Sequence, residues 1–189
     1  MYRQIPNILT ILRLLSAPVV ALLLLVAPDP TNAAIALVIY IIAALTDWLD
    51  GYLARRWEIV SGFGRMLDPI ADKLMVIIML ITLMGTTISG PLLYLPAIII
   101  VTREIMVSGL REYMAGFQVT VHVTWAAKLK TTCQLIAIGF IIAYFCFAPA
   151  TPLAQFSYWA GMGILWLAAL LTAQTGIAYF RASLAHIKD

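Results

Sequence analysis

Six apolar segments, at about residues 8–26, 33–57, 67–87, 91–114, 126–148 and 153–181, account for most of this 189-residue chain. A helix needs about 20 predominantly apolar residues to cross a bilayer, and helices and closed barrels alone satisfy their own backbone polar groups there. The segments therefore predict an all-α integral membrane protein, a bundle of six transmembrane helices. Composition agrees, with 63% hydrophobic and 11% charged residues, against about 25% charged in soluble domains. No soluble domain fits between the segments, so residues 1–189 read as a single membrane domain. No small-residue cleavage site follows the apolar run after Arg3, so the first segment reads as a retained helix rather than a leader.

Charge placement sets the expected topology. The connections at Ala27 to Asn32, Gly85 to Pro91 and Ala148 to Pro152 are short, turn-rich and almost uncharged. All 12 Lys and Arg residues fall on the other side of a six-crossing bundle, and of the acids only Asp29 lies on the far side. By the positive-inside rule the cationic side is the cytoplasm, with both termini there. One crossing more or fewer would scatter the cations over both faces. The net charge of +3 then reflects topology and contact with anionic lipid or substrate, and nothing in it points to nucleic acid. Cys133 and Cys146 sit in apolar segments without metal spacing and read as buried packing residues.

Against this apolar background the stretch Asp47 to Lys73, DWLDGYLARRWEIVSGFGRMLDPIADK, carries four carboxylates: Asp47, Asp50, Asp68 and Asp72. At such positions charge is costly and needs a reason. The purely apolar part of helix two, Ala33 to Leu45, covers about 20 Å, short of the roughly 30 Å hydrocarbon core. Asp47 and Asp50 are accordingly expected at or below the cytoplasmic headgroups, in a polar cavity. They project about 60° apart, with Gly51 and Ala54 on the same face, so two carboxylates flank a strip with little side-chain bulk. Ser61-Gly62-Phe63-Gly64 is expected to turn the chain, and Asp68 and Asp72 then sit one turn apart on the next, antiparallel helix. Four carboxylates alone would repel one another and take up protons, whereas all-oxygen ligation suits hard divalent ions such as Mg2+ or Mn2+. Two such ions about 4 Å apart clamp a diphosphate and stabilise the entering and leaving oxygens of a displacement. Arg55 and Arg56 follow and can pair with phosphate.

Two blander readings compete. Interfacial charges could simply snorkel into water, which the regular spacing disfavours. A small cation transporter could use the same carboxylates, but it would need polar residues toward the far face, where the sequence has essentially none. In helix one, Asn7 and Thr10 are possible caps, and Arg13, less than two turns in, either snorkels to the headgroups or binds substrate phosphate.

The pattern Asp47-x2-Asp50-Gly51-x2-Ala54-Arg55-x8-Gly64-x3-Asp68-x3-Asp72 resembles the signature of the CDP-alcohol phosphatidyltransferase family at all eight fixed positions. The resemblance implies a six-helix membrane enzyme, commonly a homodimer, that moves a phosphatidyl group from a CDP-linked lipid to an alcohol and releases CMP. Carried over by position, Asp47, Asp50, Asp68 and Asp72 would surround two divalent ions, and Asp72 would be the base that deprotonates the acceptor hydroxyl. Gly51, Arg55 and Ser61 fall where the family contacts the CDP moiety, and Ala54 and Gly64 keep room for it. Asn7, Thr10 and Arg13 join them as candidates for the CDP-lipid.

The acceptor is read from helices four and five. Arg103 and Arg111 lie about two turns apart, Glu104 nearly eclipses Arg111, and helix five opens with Lys128-Leu-Lys130-Thr131. Four cations exceed what a neutral alcohol needs and fit an acceptor that carries its own phosphate. Ion pairs of Arg103 and Arg111 with Glu104 or Glu112 are the plainer alternative, but they leave Lys128 and Lys130 unexplained. The stretches PNILTILRLLSAP, TREIMVSGLRE and KLKT, with the acidic stretch, resemble the bacterial branch of the family that uses glycerol 3-phosphate, over most of residues 4–135. That resemblance implies CDP-diacylglycerol as donor, glycerol 3-phosphate bound through Arg103, Arg111, Lys128 and Lys130, and a site facing the cytoplasm from the bacterial inner membrane. Inositol phosphate, phosphatidylglycerol and serine are the alternative acceptors, and the last two helices add little.

Other residues read as structural. Val119 to Trp125 alternates apolar and polar side chains, as a short extended connector does. His122 and His186 lack metal-spaced partners, and Trp57, Trp125, Tyr94 and Tyr158 suit interfacial anchoring. Gly161 and Gly163 imply close helix packing.

Overall fold

Among the described residues six α-helices follow one another: α1 (Ile5–Val26), α2 (Pro30–Trp57), α3 (Gly62–Met84), α4 (Pro91–Gly116), α5 (Trp125–Tyr144) and α6 (Pro152–Leu184). The structure, a computed structural model, describes residues 5–57, 62–116 and 125–184, without the side chains at 5, 6, 47–57, 63–65, 115, 116, 125–128, 182 and 184. Stretches within α1, α4 and α6 (Asn7–Val26, Pro91–Met114 and Pro152–Arg181) are long and apolar enough to cross a membrane, and Pro30–Thr46 and Leu129–Tyr144 are shorter apolar stretches. The described residues are all-helical apart from short connections, and the chain is a membrane protein.

The three connectors expected on the far side each end in a helix that starts on proline, at Pro30, Pro91 and Pro152. Proline suits that place because its missing amide would have no intrahelical acceptor. Asp29, the one far-side acid of the sequence reading, caps α2: its Oδ1 accepts from the amides of Thr31 at 2.8 Å and Asn32 at 3.0 Å. Thr151 does the same for α6, accepting from the Ala154 amide at 3.3 Å.

Three expected boundaries move. Gly62 to Gly64 belong to the first turn of α3 rather than to a turn, a position where amides lack intrahelical partners and glycine costs least. Trp125 opens α5 instead of closing an extended connector, whose other residues, 119–124, lie outside the described ones, as do Ser61, His122 and His186. Helix α5 stops at Tyr144, four residues early. Bonds from the amides of Phe145 to Ile142 O and Cys146 to Ala143 O, both 3.1 Å, tighten its end into a narrower turn.

Helices α1 and α2 each bury one stripe at alternating three- and four-residue spacing, the period that keeps side chains on one face. On α1 it is Thr10, Arg13, Ala17, Val20 and Leu24; on α2 it is Ala33, Ala36, Tyr40 and Ala43. The small residues of α2 let α1 approach closely. Tyr40 donates its hydroxyl to Leu135 O at 2.9 Å, tying α2 to α5, and Trp166 Nε1 donates to Leu92 O at 3.0 Å, tying α6 to α4. Cys133 is buried and Cys146 half-buried, both as free thiols. Outward faces carry exposed Leu15, Leu22, Ile42, Ile98 and Leu170, apolar surface of the kind hydrocarbon covers.

Helices α5 and α6 form the most extensive pair, and α3 touches α4 and α5 only sparsely. Gly161 makes the α5–α6 approach possible: a Cβ there would lie 2.7 Å from Ile141 Cγ1, 3.1 Å from Ile141 N and 3.2 Å from Ala137 O. Two of these neighbours are backbone and cannot turn aside. At Gly163 a Cβ meets nothing within 4 Å. Gly161→Ala is therefore expected to destabilise the protein by about 1–3 kcal/mol, while Gly163→Ala is neutral or stabilising by up to about 1 kcal/mol. Thermal unfolding in detergent compares them; equal effects would refute the close approach.

Candidate active site

The polar ends of the helix stripes meet around a cavity of about 450 Å³ where α3 stands apart from α4 and α5. Helix α3 contributes Asp68, Asp72, Lys73 and Val76; α4 contributes Arg103, Glu104, Val107, Ser108 and Arg111; α5 contributes Lys130, Thr131 and Gln134. On each helix the spacing is one, three or four residues, so a single face supplies every lining side chain.

The carboxylates lie on the α3 side. Thr10 Oγ1 donates to Asp68 Oδ1 at 2.8 Å, and Arg13 Nη1 donates to Asp72 Oδ1, also at 2.8 Å. The Arg13 side chain is 1% exposed and that of Asp72 45%. Arg13 therefore does not snorkel. It occupies the inward stripe of α1, one position before Ala17, and has its charge matched across to α3. Asn7 lies half-buried one turn before Thr10. Asp47, Asp50, Gly51, Ala54 and Arg55 fall in the last part of α2 and Gly64 in the first turn of α3, all with side chains outside the described ones, and Ser61 lies outside altogether.

Of the four acids proposed as metal ligands, the structure thus brings Asp68 and Asp72 together. Among the described residues no group of three or more His, Cys, Asp or Glu could hold a metal. The described pair nonetheless fits a divalent ion. Both carboxylates are exposed, one turn apart, at the edge of the cavity, and offer the all-oxygen set that hard cations take. Each has one oxygen fixed by a donor from α1, the kind of support that orients ligating carboxylates.

The cations lie on the α4 and α5 side. Glu104 is buried, and its Oε1 accepts from Arg103 Nη1 at 3.3 Å and from Lys130 Nζ. Arg103 Nη2 donates to Thr175 Oγ1 at 3.1 Å, while its Nε is buried with no hydrogen-bond partner among the described residues. Arg111 Nη2 donates to the Tyr179 hydroxyl at 2.9 Å, with its guanidinium carbon 5.0 Å from the ring centroid. Lys73 Nζ donates to Ser108 Oγ, spanning from α3 to α4. Lys128 lies in the first turn of α5, its side chain outside the described ones.

The ion-pair alternative is therefore half right. Glu104 does neutralise Arg103, but it also takes Lys130, so two buried cations share one buried carboxylate. Burying charge is tolerable only with partners, and a surplus of donors here suits an anion. Lys73, Ser108, Gln134, Thr175 and Tyr179 join the site beyond the residues expected from the sequence. The first three fall on faces already marked by Asp72, by Glu104 and Arg111, and by Lys130. The last two belong to a buried stripe on α6, Thr172, Thr175, Tyr179 and Ser183, whose polar spacing in an apolar helix was the available signal.

A family model described as CDP-alcohol phosphatidyltransferase matches residues 3–174. Relatives that carry the name CDP-diacylglycerol--glycerol-3-phosphate 3-phosphatidyltransferase include one from Cereibacter sphaeroides, 40% identical over 98% of each chain. One from Escherichia coli is 37% identical over 98% of each chain, and one from Rickettsia bellii is 37% identical over 95% of this chain and 94% of its own.

The Arg13–Asp72 contact generates a stability test. In a double-mutant cycle of Arg13→Gln and Asp72→Asn, followed by thermal unfolding, the two are expected to couple by about 1 kcal/mol, the modest value due to a pair with one half-exposed partner. A coupling indistinguishable from zero would show that the contact holds nothing together.

Proposed function

The chain belongs to the CDP-alcohol phosphatidyltransferase family, and from that premise we propose that it transfers the phosphatidyl group of CDP-diacylglycerol to a hydroxyl of sn-glycerol 3-phosphate, giving phosphatidylglycerophosphate and CMP. The observation that carries this reading is the division of the cavity into a carboxylate side on α3 and a cation side on α4 and α5. A diphosphate donor and a phosphorylated acceptor need such a pair of neighbouring environments. Relatives named for the glycerol 3-phosphate reaction favour that acceptor over inositol phosphate, phosphatidylglycerol or serine. Family membership leaves the cation-transporter alternative without support.

In this reading Asp72 takes the proton of the acceptor hydroxyl as its oxygen bonds to the lipid-bearing phosphorus and the bond from that phosphorus to CMP breaks. Arg13 holds the Asp72 carboxylate in place and Thr10 holds Asp68, at the edge of the CDP-lipid site. Asp47 and Asp50 would complete a set of four ligands with Asp68 and Asp72. In sequence, Asp47, Asp50 and Ala54 continue the three- and four-residue spacing of Ala36, Tyr40 and Ala43. Two Mg2+ or Mn2+ ions bound there would neutralise the diphosphate and stabilise the departing CMP. Gly51, Ala54, Arg55, Ser61, Gly64 and Asn7 complete the CDP-lipid site. Arg103, Arg111, Lys128 and Lys130 bind the acceptor's phosphate.

The same proposal places six crossings in the bacterial inner membrane, with both termini and the cavity on the cytoplasmic side, one domain per chain, and two chains in a homodimer. Contacts between helix halves support the alternation. The N-terminal half of α3 meets that of α1 through Asp68 and Asp72, while the C-terminal half of α4 meets the N-terminal half of α5 through Glu104 and the C-terminal half of α6 through Arg111.

Purified protein given CDP-diacylglycerol and each candidate alcohol is expected to release CMP with glycerol 3-phosphate; no release with that alcohol would sink the assignment. Asp72→Asn is expected to lower kcat at least about 100-fold while CDP-lipid binding persists, and near-normal turnover would remove Asp72 as the base. Chelation should abolish turnover and added Mg2+ or Mn2+ restore it. Activity that survives exhaustive chelation would remove the ions from the reading.

A further inference from the structure

We propose that α6 carries positioning residues for the acceptor-phosphate site, with Tyr179 setting Arg111 and the Thr175-Gly176 pair setting Arg103. The proposal rests on the phosphate-pocket reading above. It concerns a helix that lines none of the cavity among the described residues: neither Thr175, Gly176 nor Tyr179 is in its lining, so any influence on substrate passes through the arginines.

Three observations on consecutive turns of α6 converge. Thr175, 7% exposed, accepts from Arg103 Nη2 at 3.1 Å through Oγ1. That hydroxyl is itself held by its own helix, with Leu171 O at 2.8 Å, so it presents a fixed oxygen rather than a free rotor. Next to it, Gly176 clears the stem of Arg103: an added Cβ would lie 2.8 Å from Arg103 Cγ and 3.5 Å from Nε. One turn on, Tyr179, 5% exposed, accepts from Arg111 Nη2 at 2.9 Å. Its ring lies beside the guanidinium at 5.0 Å, within the range of cation–π attraction.

The need for such support differs between the two arginines. Arg103 is buried, and its path is fixed by Glu104, Thr175 and the gap at Gly176. Arg111 is exposed and long, and without Tyr179 it would lose much rotational freedom on gripping a phosphate. Ordering it beforehand removes that cost from binding. Tyr179 is therefore a determinant of acceptor affinity and not of the chemical step.

The test is a split of kinetic constants, with Arg111→Ala and Arg103→Ala as references. Tyr179→Phe keeps the ring and removes the acceptor oxygen. It is expected to raise KM for glycerol 3-phosphate about three- to tenfold, the worth of one hydrogen bond, leaving kcat and KM for CDP-diacylglycerol within about twofold. Tyr179→Leu, which also removes the ring, should raise the acceptor KM further, and Gly176→Ala should show the same split. Ser183→Ala, one turn beyond, removes a hydroxyl that only accompanies its own helix backbone at Tyr179 O, 3.0 Å away, and should change none of the three constants. An unchanged acceptor KM in Tyr179→Phe, or a loss spread over kcat and both substrates with a fall in Tm, overturns the positioning role. If Arg111→Ala and Arg103→Ala themselves leave the acceptor KM unchanged, the phosphate pocket is wrong and the proposal falls with it. If they raise it and Tyr179→Phe does not, only the role of α6 falls.

Discussion

Charge inside a helical bundle must be matched on the spot, because neither hydrocarbon nor packed side chains can solvate it. Glu104 is where this requirement binds hardest. It is buried between Arg103 and Lys130, and removing it would leave two buried cations without their shared carboxylate. Meeting the requirement fixes more than one contact. For Glu104 on α4 to reach Lys130 on α5, and for Arg103 to reach Thr175 on α6, the three helices must hold one rotation and one height. The apolar stripes above them, with Leu93, Ala97 and Ile100 on α4 and Ala137, Ile138 and Ile141 on α5, then pack in that same register. Polar matching chooses the arrangement and apolar contact makes it stable.

The two sides of the cavity are built differently as a result. The cation side stands on α6, which meets α5 in the most extensive helix contact among the described residues, with Gly161 at that contact, and also packs on α4. The carboxylate side stands on α3, whose support comes from α1 through Thr10 and Arg13 rather than from α4 or α5. Lys73, donating to Ser108, reaches across. An anion-binding half gains from rigidity, since donors aimed in advance lose little on binding. A half that must admit a bulky lipid-linked donor gains from having its neighbours set back.

How much of this could be read from the chain follows from what each property depends on. Helix number depends on apolar length, a local quantity, and it came out correctly. The faces of α3 and α4 depend on spacing, and Asp68, Asp72, Arg103, Glu104 and Arg111 were grouped as the structure groups them. Arg13 was ambiguous because its depth along α1 is local but its partner is 59 residues away. Its place on the stripe with Ala17 and Val20 would have turned it inward. The start of α3 was misplaced because glycine in Ser61 to Gly64 suits a turn and a helix N-terminus equally well, and nothing local separates them.

The contribution of α6 was missed for a different reason. Thr175, Gly176 and Tyr179 carry no charge, and in a membrane helix hydroxyls and glycines ordinarily mean packing. Their role exists only relative to Arg103 and Arg111, 72 and 68 residues earlier in the chain. A motif records side chains that touch substrate or metal, because their chemistry dictates residue type. A residue that acts by placing another needs only the right shape at the right height, a requirement that tertiary packing imposes and that a reading of one segment at a time cannot contain. The acidic stretch was therefore legible as chemistry, whereas the support of the cations facing it became legible only as geometry.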